Sequence, residues 1–129
     1  MQFRIDPTSS LPIYRQLRNQ VRQAVARGKL QPDDRLPSVR ELSRTLVVNP
    51  NTVARVFTEL EREGLIHTRP GLGVFVARPK AELTKRVRRE RLVEIVDSLL
   101  TEAVHLAFSA EEVASLLAER TKQFQWQAE

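Results

Sequence analysis

The side chains best suited to chemistry in this sequence are cations and short polar groups, and they gather in one stretch. From Leu36 to Leu65 the chain reads LPSVRELSRTLVVNPNTVARVFTELEREGL. Arg40 lies near the start of one amphipathic run. Asn49, Pro50, Asn51 and Thr52 open a second, whose polar side continues through Arg55, Thr58, Glu59 and Arg62. Asparagine amides and guanidinium forks hydrogen-bond in pairs to base edges. Asn51 suits adenine and Arg40 or Arg55 suits guanine, each pair discriminating by ~1–3 kcal/mol. Arg35, Ser38, Arg44, Arg62 and Arg69 suit phosphate oxygens, contacts that position a protein without specifying sequence. Arg62 also reads as a solvated helix residue paired with Glu59 or Glu63.

Catalytic chemistry finds no such gathering. The two histidines, His67 and His105, have no partner carboxylate set, and no HExxH spacing occurs. His67 has two readings, a phosphate contact or an idle exposed side chain. Gly71-Leu72-Gly73 is too short for a dinucleotide or phosphate loop. With no cysteine there is neither a disulfide nor a thiolate metal site. An enzyme is not expected, nor a cofactor or a metal.

Two short helices must carry the polar set. Ser38 followed by Glu41 is a capping box, and Val39, Leu42 and Leu46 then share one face. Asn49 suits the N-cap and Pro50 the first helical position. Val53, Val56, Phe57 and Leu60 recur at helical spacing as core, and Gly64 supplies the stop. About six residues separate Leu42 from the second cap, so the helices cross steeply, as in a helix-turn-helix. Ahead of them, Phe3–Asp6 reads as a short extended segment. A helix begins at Pro12 with the stripe Ile13, Leu17, Val21, Ala24, Val25 and ends at Gly28. Its Arg15, Arg18, Arg22 and Arg27 read as a solvated face. Residues Lys29–Pro37, with two prolines and Asp33-Asp34, are expected to be irregular and exposed.

After Gly64, Leu65–Arg69 and Val74–Ala77 read as strands around a Pro70-Gly71-Leu72-Gly73 turn. A hairpin directly after a helix-turn-helix is the wing of a winged helix, and its glycines let backbone come close to another surface. Arg78-Pro79 marks a boundary. From about Glu82 to Ala107 a long helix is expected, roughly 40 Å at 1.5 Å per residue, with Leu92, Ile95, Val96, Leu99, Leu100 and Ala103 on one stripe. A second tail helix starts at Ser109, boxed with Glu112 and stapled by Phe108 and Val113. Val113, Leu116 and Leu117 form its apolar face. A two-helix hairpin buries too little surface to stand alone. Packing against a second copy answers this; folding back on the front domain is the other reading, which the helix length and the break at Arg78-Pro79 disfavour.

Composition bounds these readings. A chain of 129 residues makes one domain and an appendage, and 41% hydrophobic with 5% aromatic content means a small aliphatic core. Residues 1–79 hold 13 Lys/Arg against 7 Asp/Glu, residues 80–91 hold 6 against 2, and residues 92–129 hold 2 against 7. A basic front and acidic back point to a polyanion partner for the front, or to a charge imbalance that serves solubility. No apolar run approaches the ~20 residues that span a membrane, and the N-terminus lacks a signal-peptide core. A cytoplasmic location without membrane contact is expected. A tail of about 50 residues leaves no room for a ligand cavity of the usual ~300 Å³, so an effector is not identifiable.

Four motifs in order, DRLPSVREL (Asp34–Leu42), NPNTVARVF (Asn49–Phe57), LEREGLI (Leu60–Ile66) and GLGVFV (Gly71–Val76), resemble the GntR-type transcriptional regulators, as does the opening SSLPIYRQL (Ser9–Leu17). The short two-helix tail resembles the YtrA subfamily. The resemblance implies a mainly α fold with a small β-hairpin wing. That is a winged helix-turn-helix domain (1–79) followed by a helical dimerisation tail (80–129). It further implies a homodimer that binds a palindromic operator in double-stranded DNA, usually as a repressor, with its own operon and an ABC transporter as frequent targets. By resemblance Arg40 contacts DNA near base edges, Asn49, Asn51 and Thr52 sit at phosphate or base, and Gly71 approaches the minor groove. Many relatives carry arginine where this chain has Pro50, so base preference does not transfer.

Overall fold

The computed structural model describes residues 2–78 and 83–126. Two compact units divide the described residues, the first formed by residues 2–78 with Trp126 and the second by residues 83–125.

In the first unit, helix α1 (Ile13–Ala26) begins directly after Pro12, whose φ of −55° precedes a helix without strain. Helices α2 (Val39–Leu46) and α3 (Pro50–Arg62) are the two expected crossing helices. Ser38 Oγ accepts the Glu41 N–H at 3.0 Å, so the hydroxyl half of the cap forms. Asn49 Oδ1 accepts the Asn51 N–H at 2.9 Å, with Pro50 at the first helical position. Gly64, at φ +79°, ends α3 and lets the Leu65 N–H reach the Leu60 carbonyl.

The three helices close on an aliphatic core. Leu17, Val21 and Ala24 of α1, Leu42 of α2, and Val53, Val56, Phe57 and Leu60 of α3 are buried together, with Ile66 and Val76 beneath. Each fully buried aliphatic side chain contributes about 1.5–3 kcal/mol relative to exposure.

The wing is a three-stranded antiparallel sheet: β1 (Arg35–Leu36), β2 (Ile66–Arg69) and β3 (Gly73–Val76), in the order β1-β3-β2. Strand β1 corrects the expectation for Lys29–Pro37, which is neither wholly irregular nor exposed. Leu36 pairs with Val74 and is buried, and Leu30 is buried as well. A two-residue strand is too short to show a period, and its ladder is lengthened by loop backbone, Asp33 N–H to the Val76 carbonyl and Val76 N–H to the Asp34 carbonyl. The Phe3–Asp6 segment forms no strand. Gln16 and Gln20 side chains bind its backbone, Gln20 Oε1 accepting the Arg4 N–H and Gln16 Oε1 the Asp6 N–H, and Phe3 enters the core.

The second unit holds α4 (Lys85–His105) and α5 (Ala110–Thr121). Helix α4 is capped by Thr84 and is shorter than the expected Glu82–Ala107; Pro79 and Glu82 lie outside the described residues. At 21 residues it is about 32 Å long. The Ser109–Glu112 capping box of α5 forms in both directions. Neither helix buries a side chain. Leu92, Ile95, Val96, Leu99, Leu100, Leu116 and Leu117 are exposed, and Ala103 and Val113 are half-buried.

Candidate nucleic-acid interface

Three features of the first unit present polar groups outward: the N-termini of α2 and α3, and the tip of the wing. The N-terminus of α2 carries Ser38 at its cap and Arg40 in its first turn. Arg40 is exposed and has no ion-pair partner among the described residues. At the N-terminus of α3, Asn49, Pro50 and Asn51 are exposed and Thr52 is half-buried. Each terminus projects backbone N–H groups and the positive end of a helix dipole, which favours an anion nearby.

The flanks of α3 are held by the chain itself. On one side the Arg55 guanidinium lies 4.1 Å from the centre of the Tyr14 ring and 3.4 Å from Glu59. Further along, Glu63 takes Arg18 at 2.6 Å and Arg22 at 2.9 Å. The hydrogen bond to Glu63 and its charge hold the Arg18 guanidinium above the usual arginine range. On the other side Glu61 Oε1 accepts the Thr68 N–H of β2 at 3.2 Å. The solvated face expected for α1 is therefore in part a clamp on α3. Arg62 pairs with neither Glu59 nor Glu63 in these contacts and stays exposed.

The wing tip is a type II turn. Pro70 precedes Gly71, whose φ is +75°, and the Leu72 N–H closes on the Arg69 carbonyl at 2.9 Å. A Cβ on Gly71 would meet nothing within 4 Å, so the glycine is there for the conformation and for open approach. Leu72, 64% exposed, is the one large side chain of the tip. At Gly73 a Cβ would sit 2.9 Å from Arg35 Nε, so the missing side chain lets Arg35 lie across the sheet.

Arg69 is turned into the wing. Its guanidinium lies 4.3 Å from the Phe75 ring centre, donates from Nε to His67 Nε2 at 3.0 Å, and pairs with Asp33 at 3.0 Å. Asp33 also takes Arg78 at 2.7 Å. Desolvation pushes the Asp33 carboxyl up, but hydrogen bonds and charge from Arg78 and Arg69 outweigh it and hold the group below the usual carboxylate range. His67 accepts a hydrogen bond and stacks with Phe75, ring centres 6.2 Å apart, so it is neither idle nor aimed outward.

Of the residues expected at DNA, then, Arg35, Ser38, Arg40, Asn49, Pro50, Asn51, Thr52 and Gly71 fall on these three features, while Arg44 on α2 and Arg62 on α3 are exposed elsewhere on their helices. Arg55 and Arg69 are engaged by the chain's own groups. Tyr14, Asp33, Glu61 and Glu63, which orient the features, carried no sequence signal, because each acts on a residue more than six positions away. No group of acidic, histidine or cysteine side chains able to hold a metal occurs among the described residues. No helix among them is long and apolar enough to cross a membrane.

Comparison with known proteins adds an independent line. Residues 13–76 match the model of the bacterial regulatory proteins of the gntR family. The chain is 47% identical over 75 residues to the HTH-type transcriptional repressor YtrA of Bacillus subtilis (strain 168), covering 58% of each protein. It is 38% identical over 105 residues to the HTH-type transcriptional regulator YhcF of the same organism, covering 81% of this chain and 86% of that one. Among solved structures, a transcriptional antiterminator of Listeria monocytogenes EGD-e superimposes with a TM-score of 0.80 at 29% identity, covering 100% of this chain and 97% of that one. The AraR DNA-binding domain in complex with operator ORX1 superimposes with a TM-score of 0.51 at 31% identity, over 57% of this chain and 90% of that one.

Proposed function

This chain belongs to the GntR family of bacterial regulatory proteins, and from that premise we propose that it is a cytoplasmic repressor that binds a palindromic operator as a homodimer. The observation that carries the reading is the pair of outward helix N-termini beside a glycine wing tip on one rigid core. Recognition helix α3 enters the major groove with Asn51 and Thr52 foremost. Asn49 caps it, and Pro50 fixes its first turn. Arg40 reaches base edges from α2, Ser38 and Arg35 meet phosphate, and Gly71 brings the wing backbone to the minor groove. Arg55 and Arg69 set the angles of helix and wing, and touch DNA only from those anchored positions. AraR, whose DNA-binding domain has been solved with operator DNA, shares this architecture.

The second copy covers the tail. Leu92, Ile95, Val96, Leu99, Leu100 and Ala103 of α4, with Val113, Leu116 and Leu117 of α5, form the dimer seam, which their exposure in the single chain supports. A two-fold dimer reads a two-fold site. The genes controlled are the chain's own operon and a neighbouring ABC transporter.

Footprinting on the chain's own promoter tests the reading. The wild-type protein protects a two-fold site, and Arg40→Ala loses that protection while still sedimenting as a dimer. A footprint with no preferred site would indicate a non-specific DNA binder instead. Unchanged operator affinity for Arg40→Ala would remove α2 from the interface.

A further inference from the structure

Four helices of this chain end on a residue in the left-handed conformation: Gly28 after α1, Val47 after α2, Gly64 after α3 and Ala107 after α4. Val47 is the anomaly. Its backbone sits at φ 55°, ψ 53°, with its own N–H and that of Val48 both on the Ser43 carbonyl, a left-handed helix stop whose slot belongs to glycine or asparagine. A β-branched side chain is the least suited to that slot, because its branch crowds the backbone carbonyl.

The fold receives nothing in return. Val47 is 89% exposed, more than any other large apolar residue among the described residues, and it is Val48 that packs against the core. The turn needs the left-handed backbone but not the valine, and strain accepted for a side chain the core does not use is a mark of function. The position is specific too, since Val47 stands two residues before Asn49, the cap of α3. Two peptide links place the two Cα atoms no more than about 7.6 Å apart.

We infer that Val47 is a specificity-determining contact, presenting its isopropyl group to the C5-methyl of a thymine in the major groove. The inference rests on the proposed DNA-binding function. The polar residues that follow, Asn49, Asn51 and Thr52, offer hydrogen bonds. An apolar group at the mouth of the turn adds a contact that the two asparagines cannot make, because the C5-methyl is the apolar feature that marks thymine on the major-groove edge. A polar or charged side chain there could not distinguish thymine from cytosine by that methyl.

The experiment measures Val47→Gly and Val47→Asn on the footprinted operator and on the same operator with single thymines replaced by deoxyuridine, which lacks the methyl. Both substitutions suit the left-handed slot, so both variants melt at or above the wild-type temperature, Val47→Gly by about 3 °C. Both bind the operator about fourfold more weakly per half-site, the worth of one buried methyl group. Deoxyuridine at one position of each half-site weakens the wild type by the same factor and leaves both variants unaffected. Wild-type affinity in the variants, or a deoxyuridine effect that persists in them, would overturn the inference. So would a lowered melting temperature, which would give Val47 a structural role. Variants that bind DNA normally but fail to repress would assign Val47 to a protein partner, again overturning it. If the wild-type protein itself selects no site, the proposed function fails first, and that result is distinguishable from all of these.

Discussion

Leu99→Asp puts the proposed seam to its hardest test. Leu99 lies near the middle of α4 and is 40% exposed in the single chain; Leu92, Ile95, Val96 and Leu100 range from 40% to 64%. Full burial of such a side chain contributes about 1.5–3 kcal/mol, so covering the exposed part of each is worth about 1 kcal/mol. Both copies contribute, which brings the α4 stripes to roughly 10 kcal/mol of gross attraction. Association costs an estimated 4–15 kcal/mol. The seam therefore has little surplus, and one poor residue per copy decides the outcome. Aspartate forfeits about 1 kcal/mol of burial on each protomer and adds a carboxylate that must lose water without a partner, a further ~1–3 kcal/mol at each site. The loss of a few kcal/mol weakens the dimer at least a hundredfold. Sedimentation velocity at micromolar concentration should show a monomer with unchanged helix content, and affinity for the full operator should fall to that for a half-site. Ser98→Asp, adjacent but off the stripe, controls for added charge and should stay dimeric. A Leu99→Asp protein that sediments as a dimer with wild-type operator affinity would refute the reasoning and move dimerisation to the first unit.

Two more outcomes follow from the first unit. Leu60→Ala, at a fully buried position of α3, should cost about 2–5 kcal/mol in urea unfolding, a large share of the ~5–15 kcal/mol that holds a domain together; a loss below 1 kcal/mol would mean the site collapses around the smaller residue. Asp33→Asn tests the clamp on Arg69 and Arg78. Asparagine tolerates the positive φ of 72° at that position, so the change isolates the charge. Because the folded carboxyl lies below its ordinary 3.8, its contribution is present above that value and is lost as pH falls through the folded pKa. The stability difference between wild type and Asp33→Asn should be constant near neutrality, begin to shrink as pH falls past about 3.8, and vanish once pH is below the folded pKa, as followed by thermal melts across pH; a difference that does not shrink at all on acidification would mean that something other than charge is lost.

How far the sequence carries this architecture depends on the range of each interaction. The caps at Ser38, Asn49 and Ser109 and the stripe Val53, Val56, Phe57, Leu60 involve residues within about two helical turns of each other, and periodicity exposes them. Strand β1 escapes because Arg35 and Leu36 are extended only by pairing with Phe75 and Val74, some forty positions away. Val47 escapes for the opposite reason. A valine between Leu46 and Val48 reads as one more apolar residue at a helix end, and only the backbone angle shows that it occupies glycine's place.

The cations teach the same lesson about the interface. Thirteen Lys/Arg in residues 1–79 suggest a broad phosphate-binding surface. Yet Arg18 and Arg22 are committed to Glu63, Arg55 to Tyr14 and Glu59, and Arg69 and Arg78 to Asp33. A guanidinium already paired with a carboxylate releases few counterions on meeting DNA, so net charge overstates the number of phosphates this unit can neutralise. These arginines do a different job. Apart from Arg55–Glu59, which lies within α3, each contact joins separate segments, α1 to α3 or the loop before β1 to the wing, and fixes the angle between them. In the proposed reader, specificity then falls to Arg40, Asn51 and the strained turn at Val47 that lies between them. The basic composition serves mainly to hold those few groups in place.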